Sequence, residues 1–320
     1  MKEIYLRLRQ RARAIAAELP LPEFYTKFSE EIIASENLFA STPVLVKIKK
    51  QIIPILENDF GHGVLHSVLV CRDAGAIVMI EMKNNLIAKN ATPCFKTKSE
   101  IKENAGIKKC SNINMDFNIY TDSDIKKNMI LIQIAGLLHD IKRKHKNHAQ
   151  KGAEFAEKFL KTGYDLSSDD IYFVCNAIRE HEAFKNNHGS SNAQLSKNTS
   201  YKNNAAHNGD YEDNKAGAIK MYHKEKNNLK TALFLSGALY DADKFRWGPD
   251  NFTHTVWDMV MFSDTPFEEF KKRYPSGMAK LAEIKDTFRT DTGRKYGPEF
   301  ITLGIKIGEI LSEFIWNKSI

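Results

Sequence analysis

Residues 129–140 read MILIQIAGLLHD. An uncharged, mostly apolar run ends in the adjacent pair His139 and Asp140. The run is about half of the ~20 residues that a bilayer-spanning helix needs, so it predicts a helix buried in protein. A histidine and an aspartate at the end of such a helix admit two readings: a polar helix end, or half of a metal site. Adjacent helical residues point about 100° apart, so the two side chains do not share a face. Both can still reach an ion lying beside the helix between their directions.

Outward from this segment the pattern stays helical. Residues 41–57 open with Ser41, Thr42 and Pro43 and carry Val44, Leu45, Ile48 and Ile52, with a break at Pro54. Residues 63–82 place Val64, Leu65, Val68, Leu69 and Ile77 around His66. Further helices are predicted over 124–141, 147–161, 168–184, 229–244, 252–263, 265–273, 276–288 and 297–316. Nothing shows the alternation or hairpin punctuation of a sheet. The class is all-α.

Composition narrows the use of this scaffold. The net charge is +7, but residues 82–128 hold nine lysines against five acids and residues 185–230 hold eight against four. Each stretch carries +4, which leaves the remainder near −1 and implies no basic patch on the core. Specific nucleic-acid binding is therefore not expected. Both stretches are rich in Asn, Lys and Ser and are read as insertions between core helices. Residues 1–40 then form an N-terminal helical extension, and 41–320 a helical bundle with insertions at about 82–128 and 185–230. Cys71, Cys94, Cys110 and Cys175 form no C-x-x-C pair. That fits a reducing, cytoplasmic setting. The N-terminal stretch MKEIYLRLRQRARAIAAELP reads as an amphipathic packing helix rather than a leader.

Histidines and aspartates recur at the ends of the apolar helices. His66 follows the DFGHG turn, His148 opens HAQKGAEFAEKFL, His181 closes AIREH, and Asp241 and Asp243 lie in LYDADKF. A lone helical histidine is more often a hydrogen-bonded core residue than a ligand. A His/carboxylate set without thiolate suits Mn, Fe, Co or Zn and, less readily, Mg.

The ordered set DFGHGVLHSVLV, AGLLHDIKR, HAQKGAEFA, AIREHEAF and LYDADKF resembles the HD superfamily of metal-dependent phosphohydrolases. The resemblance runs from about 55 to 250 and implies an HD-type helical bundle. It implies that His66, His139, Asp140 and Asp243 bind one metal, Asp243 being preferred to Asp241 because the ligand follows Ala in an A-D-K segment. His148 and His181 match the extra histidines of branches with a second metal, which would leave Asp140 bridging. One or two divalent ions are thus expected. His62 is read as a turn or pocket residue, and His145, His188, His207, His223 and His254 have no matching role.

The implied chemistry is hydrolysis of a small phosphorylated substrate, a nucleotide or another phosphoester, by metal-activated water. Asp140, Arg143 and Lys142 are the catalytic candidates, with Lys142 standing where the family has glycine. Lys244 is a candidate for binding the substrate phosphate, and Arg246, Trp247 and Asn251 for binding a planar substrate, although the aromatics here can equally be core. Residues 287–300, TFRTDTGRKYGPEF, read as a glycine-punctuated loop that closes over the site or caps the last helix. The alternatives are a mixed-valence di-iron oxygenase of the same superfamily and a nucleotide-sensing module without turnover.

Overall fold

Thr121 and Asp124 start the helix that carries the apolar run. The Thr121 hydroxyl accepts from the Asp124 N–H at 3.2 Å, and the Asp124 carboxylate accepts from the Thr121 N–H at 2.8 Å. This capping box satisfies two otherwise unpaired helix donors. In the computed structural model, which describes residues 2–56, 61–91, 121–183 and 211–316, the helices are α1 (Lys2–Glu18), α2 (Glu23–Lys27), α3 (Ser29–Ser41), α4 (Pro43–Ile52), α5 (Val64–Ala91), α6 (Asp122–Leu138), α7 (His148–Gly163), α8 (Ser168–Arg179), α9 (Tyr211–Phe245), α10 (Val256–Phe262), α11 (Phe267–Glu283) and α12 (Asp291–Trp316). No strand occurs among the described residues, and none of their helices is long and apolar enough to cross a membrane. Residues 92–120 and 184–210, with Cys94, Cys110, His188 and His207, lie outside the described residues, as does the side chain of His223.

Helices α5 and α6 form the central pair and run antiparallel. Gly136 makes their close approach possible: a Cβ there would lie 2.9 Å from Cys71 Sγ and 3.2 Å from the Cys71 backbone. Buried polar groups then tie in α3. The Gln133 amide donates to the Ser35 carbonyl and hydroxyl oxygens, each at 2.9 Å, and the Ser35 hydroxyl donates to the Arg72 carbonyl. The register that puts Cys71 against Gly136 brings the first turn of α5 alongside the last turn of α6. His66 and His139 therefore meet. Helices α7, α8 and α9 close the other sides.

The N-terminal helix belongs to the same core. Tyr5, Leu8, Ala12 and Ile15 are buried on one face, and the Tyr5 hydroxyl donates to the Thr265 carbonyl. Arg9 pairs with Asp258 at 3.0 Å, and Arg9 and Arg13 both donate to the Thr253 carbonyl. The amphipathic face is used for packing.

Several boundaries differ from those read in the sequence. Helix α5 runs on to Ala91, α6 begins at Asp122 and α9 begins at Tyr211, so helix enters both stretches assigned to insertions. Polar Asn/Lys composition lowers apolar periodicity without preventing propagation of a helix already nucleated. Residues 267–283 form one helix through Pro275, where two were expected. Its buried Phe270, Tyr274 and Leu281 keep one face docked on both sides of the proline, and the Tyr274 hydroxyl donates to the Gly308 carbonyl. Residues 291–300 are helical, not a loop.

Candidate metal centre

Six side chains from five stretches of chain converge at the α5–α6 junction. His66 comes from the first turn of α5, and His139 and Asp140 from the turn after α6. His148 opens α7, His181 follows the end of α8, and Asp243 lies in the last turn of α9. All six are buried.

Five of them form two groups that share Asp140, namely His66, His139 and Asp140, and Asp140, His148 and His181; Asp243 adjoins the first. In the first, His66 Nε2 lies 3.1 Å from His139 Nε2, 3.5 Å from Asp140 Oδ2 and 3.2 Å from Asp243 Oδ1. His139 Nε2 is 3.4 Å from the same Asp140 oxygen. In the second, Asp140 Oδ1 is 3.5 Å from His148 Nε2 and 3.6 Å from His181 Nε2, and the two imidazole nitrogens are 3.3 Å apart. Atoms that share one ion at bond lengths of about 2.0–2.2 Å stand roughly this far from one another. The two oxygens of one carboxylate thus face two separate histidine pairs.

Local backbone geometry points the nitrogens inward. His139 Nδ1 sits 2.8 Å from the Gly136 carbonyl and His181 Nδ1 2.6 Å from the Ile178 carbonyl. A carbonyl can only accept, so each Nδ1 carries hydrogen and donates, and Nε2 is the ligand atom. His148 achieves the same with a carboxylate, its Nδ1 lying 3.0 Å from Glu182 Oε1. Sequence reasoning missed Glu182; the His181-Glu182 dipeptide was its one visible signal.

The electrostatics call for positive charge. Burial pushes the Asp140 carboxyl up, but His139, His181 and Arg143 outweigh it and hold it well below the usual range. Asp243 is likewise held low against burial by Lys244, His66 and His139. Burial disfavours a charged His139, yet Asp140 and Asp243 together raise its pKa. Burial lowers His66, and it pushes His148 down to about 4. Asp140 Oδ1 is buried without a hydrogen-bond partner among the described residues, a costly state for a carboxylate oxygen. An orphaned carboxylate oxygen beside imidazole nitrogens about 3 Å apart suits a metal cation. The buried His/Asp groups can hold a metal ion.

The remaining candidates separate by environment. Asp241 does not join the histidines: its oxygens accept from the Arg289 and Thr290 N–H groups, each at 2.8 Å, and from the Thr290 hydroxyl at 2.7 Å. It anchors the segment leading into α12. Lys244 is buried with its ammonium 2.6 Å from Asp243 Oδ2, between the Tyr240 and Trp247 rings. Arg246 is also buried, bonded to Tyr25, Asp73 and Asp250. Both expected substrate contacts thus have internal partners, and Arg246 also lines the cavity beside His66. Arg143 reaches the second group at His148, whereas Lys142 lies over the Phe155 ring. A cavity of about 120 Å³ opens beside His66 between Gly61, Gly63, Arg9, Arg246 and His254. Neither Trp247 nor Asn251 lines it. His62 packs edge-on to His66, with ring centroids 5.0 Å apart.

No protein-family model, no curated protein and no solved structure matches the chain.

Proposed function

We propose that this protein is a divalent-metal-dependent phosphohydrolase of the HD type, acting on a nucleotide or another small phosphoester. The observation that carries the reading is Asp140, whose Oδ2 faces His66 and His139 while its Oδ1 faces His148 and His181. His66, His139, Asp140 and Asp243 would hold one ion, and Asp140, His148 and His181 a second. Bound there, such ions lower the pKa of water near neutral pH and neutralise phosphoryl oxygens.

The chain's own groups supply the rest. The anchored Nδ1 atoms of His139, His148 and His181 keep the ligand set rigid. Arg143, on the turn after Asp140, reaches the second group and remains partly exposed, and it is suited to an anionic substrate oxygen. The cavity beside His66 has mixed-charge walls, Arg9 facing Asp258 and Arg246 facing Asp250. Ligand pockets usually span about 300–1,000 Å³, so this cavity suits a small polar group.

The test is turnover of a panel of nucleotides and simple phosphoesters by the full chain loaded with Mn or Fe. Activity on at least one member, abolished in His139→Ala and Asp140→Ala, is expected. A chain with both positions filled that hydrolyses none of them would overturn the reading. Oxygen consumption with an organic substrate would instead assign an oxygenase.

A further inference from the structure

The imidazole of His148 sits between a carboxylate on one side and a guanidinium on the other. Its Nδ1 lies 3.0 Å from Glu182 Oε1, and its Nε2 lies 2.9 Å from Arg143 Nη1. A guanidinium can only donate and an ionised carboxylate can only accept. One arrangement satisfies both: Nδ1 carries the hydrogen and donates to Glu182, while the Nε2 lone pair accepts from Arg143.

That lone pair is the one the second group of ligands requires. His148 Nε2 faces Asp140 Oδ1 at 3.5 Å and His181 Nε2 at 3.3 Å. An imidazole nitrogen has a single in-plane lone pair, so it serves either an N–H donor or a cation. Arg143 Nη1 also lies 3.7 Å from Asp140 Oδ1, a second ligand atom of the same group. The first group is built differently. Lys244 bonds Asp243 through Oδ2, which leaves Oδ1 facing His66.

We propose that Arg143 is an internal competitor for the second metal position, so that the two positions fill in order and filling the second releases the guanidinium. The proposal rests on the two-ion reading of the site. The exchange is simple in chemical terms: one N–H···N hydrogen bond is lost, one nitrogen–cation bond forms, and Arg143 keeps all its protons. The first group offers two carboxylates and two histidines, whereas the second offers two histidines and shares Asp140. Fewer ligands and an internal cation both weaken the second position. Release matters because Arg143 lies three residues from Asp140 and is 26% exposed. Freed from His148, it becomes available to an anionic substrate, and anion affinity is thereby linked to occupancy of the second position. Glu182 is a positioning residue that keeps the His148 lone pair directed inward.

The experiment is a titration of the full chain, stripped with chelator, with Mn²⁺ in the absence of substrate, following free ion by electron paramagnetic resonance. Two equivalents are expected, the second weaker than the first by at least about tenfold. Arg143→Met, which has no donor, tightens the second equivalent by about tenfold or more and leaves the first unchanged. Arg143→Lys restores a donor and returns the second affinity toward that of the original chain. Glu182→Gln weakens the second equivalent by about 10–100-fold. Retention of the first equivalent shows that each variant is folded. A second equivalent no tighter in Arg143→Met, or fewer than two equivalents in the original chain, overturns the proposal. Because no turnover is measured, a chain that shows the Arg143 effect but cleaves no phosphoester loses only the hydrolase reading.

Discussion

Asp243 Oδ1 lies 3.2 Å from His66 Nε2, across the gap between the end of α9 and the start of α5. Asp241, two residues earlier across Ala242, points elsewhere and holds the segment before α12. Their substitutions should separate cleanly. Asp243→Asn removes a charge beside His66 while keeping shape beside Lys244, and on the proposed two-ion reading should lower the metal content of purified protein by about one equivalent. Asp241→Asn should keep the metal content and, near pH 4.5, lower stability by about 1–3 kcal/mol, since one of three buried donors loses its acceptor. Elemental analysis and urea denaturation of the same preparations measure the two effects.

Asp140 serves both groups, and this predicts an unequal pattern among single variants. Asp140→Ala should bring metal content close to zero, because each group loses a ligand with its negative charge. His181→Ala should leave about one equivalent, since only the second group is touched. Equal losses in the two variants would mean that the groups do not bind independently.

Much of this cluster was expected from the resemblance, and its residues share one feature of placement. His66, His139, Asp140, His148, His181 and Asp243 each follow or precede an apolar helical segment, and the fold brings those ends together. What was not legible depends on partners far away in the chain. Arg246 reads as a candidate substrate contact, yet Asp73 and Tyr25, remote in sequence, bury it. Helix through Pro275 was hidden for a related reason: its docked face is visible only once α12 is in place. Local rules described the proline well and the tertiary contacts overrode them.

Asp241 should imprint a pH dependence on stability. Burial pushes its carboxyl up to about 6, against the lowering effect of Thr290 and of the Arg289 and Thr290 N–H groups. The folded chain therefore holds this proton more tightly than the unfolded chain, whose carboxyl titrates near 3.8. The group's contribution is fully present below about 3.8 and is lost as pH rises through about 6. Over that window the loss amounts to about 3 kcal/mol at most. Urea denaturation of the original chain and of Asp241→Asn at pH 4.5 and pH 7 would show it. The stability advantage of the original chain should shrink toward pH 7, and a constant difference would contradict the assignment.

The Arg246 network should behave as structure rather than as substrate recognition. Arg246 donates to Asp73, to the Tyr25 hydroxyl and to Asp250, and the Tyr25 hydroxyl itself donates to Asp73 at 2.8 Å. Asp73 is fully buried. Removing it in Asp73→Ala leaves a buried guanidinium short of countercharge and should cost about 3–5 kcal/mol. Asp250 is one-third exposed, so Asp250→Ala should cost about 1 kcal/mol or less. Urea midpoints at matched slopes read the difference, and equal costs would point to a solvated arginine.

Gly136 ties the stability of the helix pair to the geometry of the site. A Cβ at this position would meet Cys71 Sγ at 2.9 Å and the Cys71 Cα and N at 3.2 Å. Two of these three contacts are backbone, which cannot rotate away, so α5 and α6 must move apart in Gly136→Ala. Overpacking of this kind costs about 1–3 kcal/mol. It also acts on the metal centre, because His66 lies on α5 and His139 just beyond α6, with their Nε2 atoms 3.1 Å apart. The variant should fold and yet bind its first metal equivalent about 10–100-fold more weakly, the range seen when supporting contacts of a metal site are lost. Adding Cys71→Ala removes the sulfur but not the backbone, so it should restore only part of both losses. Full recovery in the double variant would show that the side chain alone, and not the approach of the two helices, sets the spacing of His66 and His139.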